Sequence, residues 1–90
     1  MTAPAMTTRP RTCPGWCARH VSDVHVSAPE TREGEQVQLI QYGTQPPLVH
    51  VGLLDPMTPA GALRFARFLS AHQHPELAAL VTRTAGMATS

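Results

Sequence analysis

The sequence contains no lysine and no asparagine, and only two cysteines, two phenylalanines, one tryptophan and one tyrosine in 90 residues. Each shortage narrows the field. Seven arginines and no lysine stand against six acids, for a net charge of +1, so no strong field draws the chain towards nucleic acid or acidic lipid. No stretch approaches the roughly 18 apolar residues of a membrane span. Arg9 and Arg11 near the N-terminus have no apolar segment beside them, so this end does not read as a secretory signal. A cytoplasmic protein is the expectation, and thiols there stay reduced. The missing Lys and Asn, with Ala, Gly, Pro and Arg in excess, point to a GC-rich genome rather than to a function.

The scarcity of aromatics in so short a chain means a thin core. The opening "MTAPAMTTRPRT" and the closing "TAGMATS" lack any apolar period and read as loose tails. The expected organisation is a tail over 1–11, one folded domain over 12–84 and a second tail over 85–90. A domain of this size rarely supplies more than about 3–5 kcal/mol from its core alone, so some staple is expected.

What is present is concentrated. Both cysteines and two of the five histidines fall in "CPGWCARHVSDVH", spaced Cys13-x3-Cys17-x2-His20-x4-His25. Zinc takes four tetrahedral ligands from Cys sulfur and His nitrogen, and a Cys2His2 set leaves no open position. Two thiolates cancel the charge of the ion. The gap of two residues is shorter than in finger domains, so all four ligands are expected in one zinc-knuckle-like loop. Pro14 and Gly15 suit a tight turn between the cysteines, and Trp16 can shield the ion. His50 competes with His25 for the fourth place.

Other readings of the cluster are weaker. A disulfide between Cys13 and Cys17 is disfavoured in a reducing compartment, and an iron–sulfur cluster normally takes four cysteines. The bland alternative is two small apolar thiols beside unrelated histidines. A catalytic zinc keeps three protein ligands, a water and a nearby carboxylate. Asp23 is the one acid in the loop and fits a turn residue better. The expectation is therefore no enzyme and a structural Zn2+.

Downstream, "VHVSAPE" is a short edge strand ended by Pro29. "TREGE" is a turn in which Gly34 takes a positive φ. "QVQLIQYG" places Val37 and Leu39 on one face and Ile40 and Tyr42 on the other, so both faces are partly covered or a bulge intervenes. "PLVHVGLL" should pair with it as an antiparallel hairpin through a loop of about five residues. Thr58 as N-cap and Pro59 at the first helical position open a helix with Ala62, Phe65, Ala66 and Leu69 on one stripe. Pro75 breaks it and starts a second stretch bearing Leu77, Leu80 and Val81, with Gly86 as the stop. The histidines at 72 and 74 suit the C-terminal end of the first helix as a solvated cap. The fold class is α+β: a small two-layer domain with the knuckle-like loop, an antiparallel hairpin or three-stranded sheet, and a C-terminal helix broken at Pro75.

Cys13, Pro14, Trp16, Cys17, His20 and His25, followed by Thr58, Pro59 and Ala66, resemble the pattern of an uncharacterised family of small actinobacterial and actinophage proteins. That pattern is Cys-Pro-x-Trp-Cys-x-x-His, a further His, two strands and a Leu-Thr-Pro-x-Glu-Ala-x-x-Leu-Ala-x-x-Leu helix, its core being Thr-Pro-x-x-Ala. The likeness spans residues 12–73 and departs at Gly61, where the family carries an acid. The resemblance implies a metal site and, on its phage branch, a host-modulating factor. It implies no activity.

Two classes of function follow. The first is a zinc-stapled protein-interaction module, a regulator or adaptor. It would meet a protein partner or form a homodimer through an apolar helical surface of Phe65, Phe68, Leu69, Leu77 and Leu80. The second is nucleic-acid binding by a zinc-knuckle-like regulator, motivated by Arg9, Arg11 and Arg19. Scattered arginines and one nearby aromatic, Trp16, count against it.

Overall fold

A computed structural model describes residues 13–89; the tail expected over 1–11 lies outside the described residues. The chain order is β1 (Cys17–Val21), β2 (Val24–Ser27), β3 (Glu30–Arg32), β4 (Glu35–Tyr42), β5 (Leu48–Val51), α1 (Pro59–Ala71) and α2 (Pro75–Met87). No helix among the described residues is long and apolar enough to cross a membrane.

β4 is the longest strand and organises the antiparallel sheet. One of its edges pairs with β5, from Val37↔Val51 to Ile40↔Leu48, through the loop 43–47. Its other edge takes β3 and then β2, and β1 lies outside β2. Register shifts by one residue between Val26↔Ile40 and Glu30↔Val37, so Ser27, Ala28 and Pro29 face only Gln38 and Leu39. Pro29 has no N–H for the ladder. The Leu39 N–H donates instead to Ser27 Oγ at 2.8 Å, which keeps a buried donor paired at the kink. The β3–β4 turn is Glu33–Gly34 with φ of 52° and 80°, both positive as a type I′ hairpin turn requires.

Alternation on β4 and β5 decides which face is covered. Val37, Leu39, Val49 and Val51 are buried under the helices. Above them α1 contributes Ala62, Ala66 and Leu69, and α2 contributes Leu77, Ala78, Leu80, Val81 and Ala85. Thr58 caps α1 by accepting from the Gly61 N–H at 3.0 Å, with Pro59 next in line. α2 starts at Pro75 and its N-cap, His74, makes no side-chain cap bond. Glu33 supplies it from the β3–β4 turn. Its carboxylate accepts from the Leu77 N–H at 2.9 Å and lies 2.9 Å from His74 Nδ1.

The α+β class with two layers stands, and the sheet is larger than the hairpin or three strands expected. β1 and β3 went unread because "CARHV" and "ETR" carry almost no buried side chain and so no apolar alternation. α2 runs through Gly86, where a stop was expected, to Met87, and Ala85 is 2% exposed in the core. The apolar helical surface is also redistributed. Leu69, Leu77 and Leu80 are buried in the core and Phe65 packs against it, whereas Phe68 is 54% exposed. A two-layer domain this small spends most of its helical apolar area on its own sheet.

Candidate metal centre

The four residues singled out by spacing come from a turn and a hairpin rather than from one loop. Pro14, Gly15, Trp16 and Cys17 form a tight turn closed by the Cys17 N–H donating to the Pro14 carbonyl at 3.0 Å. Trp16 is partly buried and packs against the hydrophobic core, which anchors the turn. Cys17 then opens β1, which returns as β2 through the two-residue turn Ser22–Asp23. Ser22 has φ of 56°. Asp23 accepts the Gly43 N–H through its carbonyl at 2.7 Å.

A bulge does the positioning. In a regular strand, residues three apart point to opposite faces, which would separate Cys17 from His20. Here Cys17 pairs with Ser27 but Arg19 pairs with Val26, so the register slips by one residue at Ala18. After the slip, His20 pairs with His25. Cys17, His20, His25 and Ser27 therefore share the side of the sheet on which the helices pack further along, against β3, β4 and β5, while Arg19 and Val21 share the other with Val26 and Val24. The Cys-x2-His spacing carried this signal: on a strand it requires a bulge if both residues serve one site.

Cys13, Cys17 and His25 form a group able to hold a metal ion, with ligand atoms all within 4.8 Å of one another. Nδ1 of His25 lies 3.4 Å from Cys13 Sγ and 3.6 Å from Cys17 Sγ. His20 joins through its Nδ1, 3.6 Å from Cys13 Sγ, and its ring stacks on that of His25 at 4.2 Å. Both cysteines stand as thiols, each partly buried. His25 is 5% exposed, whereas His20 is exposed. A buried imidazole must satisfy its ring nitrogens, and Nδ1 of His25 does so between two sulfurs.

His50 does not compete for the site. It pairs with Gln38, whereas His25 pairs with Gln41, three positions along β4. Strand alternation sends them to opposite faces of the sheet.

No protein-family model, curated protein or solved structure matches this chain.

Proposed function

We propose that the protein is a zinc-stabilised interaction module, a regulator or adaptor whose metal holds a binding surface in shape rather than performing chemistry. The observation behind it is the set of sulfur–nitrogen separations, 3.4, 3.6 and 3.6 Å. Zinc bonds of about 2.3 Å to sulfur and 2.0–2.1 Å to nitrogen, at tetrahedral angles, give edges of about 3.5–3.6 Å. Three of the six edges of a zinc-sized tetrahedron are thus in place, and Cys13, Cys17 and His25 form its compact part. Cys13, Cys17 and His25 would hold the ion, and His20, which lies outside that compact set and touches it through Cys13, would turn inward to close the fourth corner.

Mixed thiolate and imidazole ligands suit Zn2+, whereas Mg2+, Ca2+ and Mn2+ favour oxygen. With His20 as fourth ligand no position would remain for a reacting water, which is the arrangement of structural rather than catalytic sites. The staple sits where the apolar core is thinnest, because β1 brings almost nothing buried of its own.

Metal analysis of the purified chain tests this. One zinc per chain is expected. Cys17→Ser should abolish stoichiometric binding, because a neutral hydroxyl does not replace a thiolate. His25→Ala should weaken binding at least tenfold, and His50→Ala should leave it unchanged. Metal-free protein that stays so with excess zinc, or equal losses from His25→Ala and His50→Ala, would refute the assignment.

A further inference from the structure

The helices pack on one side of the sheet, against β3, β4 and β5, and neither packs on the other. The pairing lays this second face out in rows. Arg19, Val26, Ile40 and Leu48 form one row across β1, β2, β4 and β5. Val21, Val24 and Tyr42 form the next. None of the seven is buried; Val21 is 53% exposed and Tyr42 47%. Six are apolar or aromatic, an unusual content for a solvent-facing sheet surface, where alternation normally supplies polar residues. Contiguous apolar surface of this kind marks a contact site.

Charge identifies what fits. The single formal charge in the two rows is Arg19, which is exposed and makes no ion pair among the described residues. No acid faces it across the rows. Glu30 pairs with Arg83 of α2 at 2.6 Å, and Glu33 is bonded to His74 and Leu77 on the helical side. Within the two rows a second copy would bring an arginine and no carboxylate, the nearest acid being Asp23 at their edge beside Gly43. Bases of a single nucleic-acid strand would find one aromatic ring, where stacking sites use several.

Dimensions complete the fit. Four strands about 4.8 Å apart and two rows about 7 Å apart give a patch that one α-helix, about 10–12 Å wide, covers along its length.

We propose that this open face docks an amphipathic helix of a partner protein, its apolar stripe on Val26, Ile40 and Leu48 and an acidic residue on Arg19. The proposal rests on the interaction-module reading above and gives it a surface and a partner chemistry. It also gives the metal a task, since Cys17 and His20 hold from behind the strand that carries Arg19 and Val21.

Isotope-labelled, zinc-loaded full-length protein is titrated with two helical peptides, one of Leu and Glu and one of Leu and Lys, and with an oligo-dT strand. Amide shifts and zinc content are read on the same sample. The Leu/Glu peptide should shift residues 19–26, 38–42 and 48–50 and bind at least tenfold more tightly than the Leu/Lys peptide. Arg19→Glu, at an exposed position, should reverse that preference. Equal binding of both peptides, shifts confined to α1 and α2, open-face shifts produced by oligo-dT, or a doubled scattering mass abolished by Val21→Glu would each overturn the proposal. No binding with zinc retained refutes the docking face alone, whereas failure to retain zinc refutes the metal reading.

Discussion

The Cys/His cluster on the β1–β2 hairpin and the layer formed by α1 and α2 lie on the same side of one sheet, and unlike groups gather in the two places. Under the helices, Val37, Leu39, Val49 and Val81 are each 2% exposed or less, and burial of apolar area holds the layers together. Beside them, four of the five residues of β1 are exposed. What meets there is two thiols and two imidazoles. A short chain with few large apolar residues can complete one compact core, and at the remaining edge it gathers groups able to hold a metal ion. Metal ligation needs a few correctly placed atoms rather than a filled volume, so it would suit a strand as polar as "CARHV".

This comparison predicts separable behaviour, and metal removal gives the largest effect. Apparent zinc free energies in finger peptides are about 10–16 kcal/mol near neutral pH, more than the whole apolar core of so small a domain supplies. Chelation should strip amide-exchange protection from residues 13–27 while β4, β5 and both helices keep theirs. Loss of protection throughout the chain would show that the two regions are one cooperative unit.

Leu39→Ala attacks the other device. Leu39 is fully buried at the centre of β4, and truncating such a residue costs about 2–5 kcal/mol. That is comparable with the core's entire contribution, so chemical denaturation should find the helices and sheet mostly unfolded at room temperature. β2 pairs with β4, so zinc affinity should fall too. Wild-type zinc affinity in an unfolded Leu39→Ala chain would show that the hairpin forms its site alone.

The smallest effect lies where turn and helix meet. The His74 hydrogen bond, and after it the Leu77 amide, hold the Glu33 carboxyl below the ordinary carboxylate value of 4.5. The folded state binds that proton less readily than the unfolded state, so stability falls as acid is added. The Glu33 contribution is complete above the ordinary carboxylate value and fades as pH drops through the lower folded one. Glu33→Gln should loosen the first turn of α2 near neutral pH and match the wild type in strong acid. Exchange at the Leu77 amide reads this directly, and a difference that persists in strong acid would contradict it.

Much of this was legible from residue order. The cap at Thr58, the break at Pro75, the positive φ of Gly34 and the β4–β5 hairpin each follow from local chemistry or period, and local features need no knowledge of neighbours. β1 and β3 were not legible, because strands with exposed side chains have no apolar signature. The metal cluster was visible as composition, but the choice between His25 and His50 was not. It depends on which residue of β4 each faces, and a shift of one position reverses the answer. The helical surface was misread for a related reason. Periodicity shows that Leu69, Leu77 and Leu80 share an apolar side, and it is silent on whether that side meets a partner or the chain's own sheet.

The sequence by itself determined the ligand types, their spacing, the helix boundaries at Thr58 and Pro75 and the thinness of the core, because propensity, capping and side-chain chemistry act over a few residues. Tertiary structure alone decided that Cys17 and His20 share a face, that Glu33 caps a helix more than forty residues away, and that one side of the sheet stays open. Each of these depends on strand register and layer packing, which are set by the burial of many side chains together and written in no single segment.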